Sequence, residues 1–210
     1  MAEADTWESI HQHGLLSTTA LLDLFEISGR QRREIENQHR PQSMVISHPQ
    51  YGKAVIRDQK PMRESALRQC LRGMTPLQWY RLLNRHVFFW VTERRLTTLL
   101  NARAYRERKH TVLTIDTVRL VRQHAERIVL SPINSGSTIY NPQERGRSTF
   151  LPFSRYPFAE RRALRGGANA VAECAVIYSV PDIRDVTLRV EHRSGNEIVE
   201  VLWEKPAGER

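Results

Sequence analysis

The chain has 210 residues, 40% apolar and 8% aromatic, with 32 Lys and Arg against 23 Asp and Glu for a net charge of +9. That is enough apolar material for a packed core, which excludes a wholly disordered chain. No run of eighteen apolar residues occurs, and the opening Met1-Ala2-Glu3-Ala4-Asp5 is acidic, so neither a membrane span nor a secretory leader is expected.

Asp5-Thr6-Trp7-Glu8 has capping-box spacing, with Asp5 as N-cap of a short helix that stops at Gly14. Ser17-Thr18-Thr19 opens a second helix, which Gly29 breaks. Residues 30–39 form a charged, exposed helix ending before Pro41. Two short strands, 43–47 and 53–57, flank the turn His48-Pro49-Gln50-Tyr51-Gly52. A helix covers 63–71. Thr75-Pro76 starts another, since proline is tolerated at the first helical position. The continuous apolar run 87–91 has the pattern of a buried central strand. Thr92 caps the next helix. A strand at 111–116, a helix to about 125 and a strand at 128–130 follow.

Residues 131–147 are polar and rich in turn formers, the composition of a functional loop. A helix at 159–164 ends at Gly166-Gly167. Strands at 172–180, 186–193 and 197–203 close the chain, the last two as a hairpin across Ser194-Gly195-Asn196. Helices come first and strands last, without regular βαβ winding. The fold class is therefore α+β, in a single domain covering 1–210. The strands at 87–91, 111–115 and 172–180 are expected in one core sheet.

Only Lys53, Lys60, Lys109 and Lys205 are lysines; the other 28 basic residues are arginines. Two readings fit. Arginine forks onto phosphate, which suits a DNA or RNA partner, and a GC-rich genome favours arginine codons throughout. Cys70 and Cys174 are too few and too far apart for a zinc cluster or a disulfide framework, so no metal is expected and a reducing, cytoplasmic setting fits. His11 and His13, two apart on a helix, point to different faces and do not make a metal site. Glu173 interrupts the apolar segment Ala172-Glu173-Cys174-Ala175-Val176-Ile177. It is either the solvent end of an edge strand or a carboxylate kept for chemistry.

The opening Trp7-Glu8-Ser9-Ile10-His11-Gln12-His13-Gly14-Leu15-Leu16-Ser17 resembles the segment that opens small bacterial ADP-ribosyltransferase domains. Those include the DNA ADP-ribosyltransferase toxins of the DarT group and, more distantly, RNA 2′-phosphotransferases. Phe88-Phe89-Trp90 through Tyr105, the strand at 111–116, and Ala172-Glu173-Cys174-Ala175-Val176 with Val180-Pro181-Asp182-Ile183 follow in the superfamily's order. The chain as a whole is also similar to a bacterial family sharing segments such as Arg57-Asp58-Gln59-Lys60-Pro61-Met62, a likeness that carries no chemistry.

The superfamily resemblance implies a split mixed β-sheet with helices at its N-terminal side, and NAD as a substrate. It implies Glu173 as catalytic carboxylate, and a first-strand histidine whose place falls at or before Met1. Cleaving the nicotinamide glycosidic bond builds oxocarbenium-like charge that a pre-placed carboxylate stabilises. Trp90, with Tyr105 as a second choice, would stack the nicotinamide. Arg57 would meet the phosphates, and the loop carrying Asn134, Ser135 and Ser137 would touch the acceptor. The expected function is NAD-dependent ADP-ribosyl transfer, with a nucleic acid as acceptor. The alternatives are a non-catalytic nucleotide or nucleic-acid binding module of the same fold, and an NAD-consuming hydrolase.

Overall fold

A computed structural model describes residues 1–139 and 141–209 and shows an α+β chain. It separates into two compact units. One comprises Met1–Leu15, Thr92–Ala125 and Val180–Arg210; the other comprises Leu16–Val91 and Glu126–Ser179.

The first unit carries a four-stranded antiparallel sheet in the order Ala2–Glu3, Lys109–Ile115, Thr187–Ser194, Glu197–Glu204. Helices Trp7–His13, Glu93–Leu100, Thr117–His124 and the single turn Ile183–Val186 accompany it. Asp116 caps the third of these, its side chain accepting from the Arg119 N–H, as an N-cap aspartate does. Asp5 does not cap the opening helix. It sits at φ 60°, and Thr6 takes the N-cap position with its hydroxyl turned back to donate to Glu3 O. The hydroxyl reaches that nearer carbonyl, so the capping box does not form. On the central strand, buried Glu191 is neutralised by Arg189 and Arg193, each Nε at 2.7 Å from one carboxylate oxygen. A carboxylate taken from water requires such partners.

The second unit carries a separate four-stranded antiparallel sheet, ordered Leu151–Pro152, Ile128–Ser131, Glu173–Ile177, His86–Trp90. Around it lie helices Thr18–Leu24, Gly29–Glu36, Glu64–Cys70, Pro76–Asn84 and Phe158–Arg165, and the hairpin Met44–His48/Gly52–Ile56. Ser17 and Thr75 cap their helices as expected, Thr75 with the full capping box to Gln78. Gly29 opens the helix Gly29–Glu36 instead of ending the one before it; its φ of 59° suits the entry bend. Trp79, Tyr80, Met62 and Leu67 pack with Val129, Phe150 and Ala175 into one core. Leu22, Phe25 and Ile35 close a second core over Ile46 and Ile56 of the hairpin.

Three expectations about the strands are corrected. The apolar run around 87–91 is not central: His86–Trp90 is an edge strand, with Phe88 and Val91 exposed. An uninterrupted apolar run marks partial cover on both faces and does not distinguish edge from centre. Glu173–Ile177 is the inner strand, its Cys174, Ala175 and Val176 all buried. The strand at 111–115 belongs to the other unit's sheet, because it pairs with Thr187–Ser194 and Ala2–Glu3. Both main sheets are antiparallel and not mixed. Leu71–Arg72 and Arg145–Gly146 pair in parallel.

Candidate active site

Glu173 lies directly across from Ser131 on one neighbouring strand and from Trp90 on the other. Residues opposed in this way project to the same face, so register alone gathers these three side chains. Ala175 and Val129, on that same face, pack against Trp79, so the carboxylate stands at the rim of an apolar core. Glu173 is 5% exposed and Trp90 is half-buried. Of the two roles open to Glu173 in the sequence, the solvent end of an edge strand does not describe it.

The loop after Ile128–Ser131 folds back over this carboxylate. Ser131 Oγ donates to Ile133 O and accepts from Ile133 N–H, a local turn that serine favours. The Ser135 N–H then donates to Glu173 Oε2 at 3.1 Å. Farther along, Thr138 N–H donates to Pro61 O, and its hydroxyl accepts from Arg63 N–H at 2.6 Å and donates to Arg63 O. These bonds hold residues 134–138 against residues 58–63. Ser135 is buried, Ser137 half-buried and Asn134 exposed. The structure therefore brings Glu173, Trp90 and Ser135 together, with Asn134 and Ser137 flanking. Position 140 of the same loop lies outside the described residues.

Arg57 stands just past the hairpin strand Gly52–Ile56, half-buried, with its carbonyl accepting from Arg40 Nε. The loop it opens is the one bonded to residues 134–138. Tyr105 belongs to the first unit, where it is 4% exposed and meets the His110 ring edge-on at 5.9 Å.

One residue of the site is not visible in the sequence. Arg145 is 3% exposed, with Nη1 donating to Ser135 O at 3.0 Å and Nε donating to Gln143 O at 3.1 Å. Its guanidinium lies 5.9 Å from the centre of the Trp79 ring, a cation–π distance. Burial pulls its pKa below the ordinary arginine value, and the neighbouring Cys70 and Glu173 act against that fall. The backbone places it: Leu71 pairs with Arg145 and Arg72 with Gly146. A side chain at Gly146 would strike Arg72 O, so glycine lets the two strands meet. Its only sequence signal is the dipeptide Arg145-Gly146 within a turn-rich loop.

Chemically, this arrangement offers a carboxylate held by a backbone donor, a half-buried indole on the adjacent strand and a buried cation. Among the described residues, no group of three or more His, Cys, Asp or Glu could hold a metal ion, and no helix is long and apolar enough to cross a membrane.

Fold and site define an α+β protein with a buried carboxylate on an inner strand, covered by a polar loop. Residues 1–187 match the family model described as "Family of unknown function (DUF7002)", and the chain belongs to that family. No curated protein and no solved structure matches the chain.

Proposed function

We propose that this protein transfers ADP-ribose from NAD to an acceptor, with Glu173 as the catalytic carboxylate, on an ADP-ribosyltransferase-like fold. The reading is carried by the setting of Glu173: buried at the rim of an apolar core, held by the Ser135 N–H, opposite a half-buried tryptophan. In that setting a fixed negative charge acts on a developing cation with little reorganisation, where water screens it weakly. In the reaction, the bond from ribose C1′ to the nicotinamide nitrogen breaks, and nicotinamide leaves with the electron pair. The acceptor forms the new bond to C1′ and gives up its proton, for which Glu173 is the base. Trp90 offers its ring to the nicotinamide, and Arg57 offers its charge to the two phosphates. The net charge of +9 suits a nucleic acid as the acceptor.

The test is nicotinamide release from NAD, with and without DNA or RNA, by wild type and Glu173→Gln. The amide still accepts from Ser135 N–H, so fold and NAD binding persist while the rate falls by about 10²–10³, the usual cost of losing one such electrostatic partner. Equal rates in the two proteins would overturn the assignment. One observation favours a second reading, a nucleotide-binding module without turnover: Glu173 is buried and already fixed by the Ser135 N–H, as a structural carboxylate is. NAD or nucleic-acid binding that survives in Glu173→Gln, with no nicotinamide released by either protein, would select it.

A further inference from the structure

We propose that Arg145 is a positioning residue of this site: through its bond to Ser135 it fixes the donor that orients the Glu173 carboxylate. The role rests on the proposed function for its catalytic consequence, but not for its structural one.

A single residue joins the two charged side chains. Ser135 donates its N–H to Glu173 Oε2 at 3.1 Å and accepts at its carbonyl from Arg145 Nη1 at 3.0 Å. The three residues are 5%, 1% and 3% exposed for Glu173, Ser135 and Arg145, so the chain of bonds runs where water does not compete for it. Arg145 is itself held from three directions. Its backbone pairs with Leu71, its Nε donates to Gln143 O, and its guanidinium rests near the Trp79 ring. The planar fork is thus aimed before any substrate arrives, a task that guanidinium geometry suits and a flexible ammonium does not.

Without Arg145, Ser135 keeps one bond to Glu173 and loses the anchor on its other side. Residues 134–138 are then tied down mainly at Thr138, three residues away. A displacement of about 1 Å at a reacting group costs on the order of 10²-fold in rate. The effect falls on the chemical step, because neither Arg145 nor Ser135 needs to touch the bulk of the substrate.

Two measurements on Arg145→Met and Arg145→Lys test the role. In amide hydrogen exchange, the peptide covering 133–139 of Arg145→Met should exchange at least about tenfold faster than in wild type. Peptides covering the strands Glu173–Ile177 and His86–Trp90 should be unchanged. A purely structural arginine would speed exchange through the whole core. In nicotinamide release, Arg145→Met should lose about 10- to 100-fold in kcat, with KM for NAD changed by less than about threefold. Arg145→Lys, which keeps the charge and one donor, should recover part of that loss.

Wild-type exchange at 133–139 in Arg145→Met overturns the proposal whatever the enzyme does. Faster loop exchange with wild-type kcat also overturns it, since the loop would then be held to no catalytic end. If wild-type protein releases no nicotinamide, the ADP-ribosyl transfer reading falls by itself, and the exchange result still decides whether Arg145 holds Ser135.

Discussion

Replacing Gly14 by alanine should destabilise the protein far more than replacing Gly29, although both glycines lie at positive φ. Gly14 ends the helix Trp7–His13, its N–H bonded to Ile10 O at 2.8 Å, with φ 84° and ψ 171°. A side chain in that region of backbone space costs about 1–3 kcal/mol. Space adds a second cost. A Cβ at Gly14 would lie 2.7 Å from Pro181 Cα and 2.9 Å from Val180 O. Carbon atoms pack at about 3.5–4.0 Å, so the backbone at 180–181 must retreat by about 1 Å. Overpacking of that kind costs about 1–3 kcal/mol. Together these give about 2–6 kcal/mol, a large part of the roughly 5–15 kcal/mol that keeps such a protein folded. A Cβ at Gly29, where φ is 59°, would meet nothing within 4 Å, and Gly29→Ala should cost only about 1–2 kcal/mol. Urea denaturation followed by circular dichroism reads both values. A Gly14→Ala midpoint no lower than that of Gly29→Ala would refute the close approach of residues 14 and 181.

Two further outcomes follow from buried titratable groups. Burial holds the His86 imidazole below its ordinary pKa, against the opposing pull of the Leu82 carbonyl 2.6 Å from Nδ1. Below about pH 6.5 the unfolded chain takes up a proton that folded His86 refuses. Stability should therefore fall with falling pH in that window, by up to about 1.4 kcal/mol per pH unit. His86→Phe, which retains a ring to stack on Phe150, should flatten the dependence of the urea midpoint between pH 5.5 and 7.5; an unchanged slope would count against the neutral imidazole. Burial also pushes the Cys174 thiol up to about 11, and Cys70 is buried too. A disulfide reagent at pH 8 should therefore meet no reactive thiol in native protein and both in denatured protein, since the thiolate is the reacting form. Prompt native reaction at Cys174 would contradict its burial.

What the sequence determined by itself was local. Ser17 and Thr75 cap helices, and Pro76 and Gln78 complete the second cap, because those bonds close over three residues. The hairpin around 48–52 and the one around Gly195 follow from turn chemistry of equally short range. Glu173 stood out because a carboxylate in an apolar strand is costly unless something answers it. What the residues could not say was which strands would be neighbours. The strand at 111–115 has the same β pattern in either sheet, and the run at 87–91 is equally apolar at an edge or a centre; pairing over long separations settled both. The partners of Glu173 were hidden for the same reason. Ser135 lies 38 residues away in sequence, and Arg63, which holds the far end of its loop, lies 75 residues from Thr138. Arg145 is one arginine among 28 until Leu71 and Gly146 place its backbone and Ser135 receives its guanidinium. A cap or a turn is decided by sterics and hydrogen bonds within a few residues, whereas a buried charge is matched only after distant segments have closed upon one another, and that closure belongs to the tertiary structure.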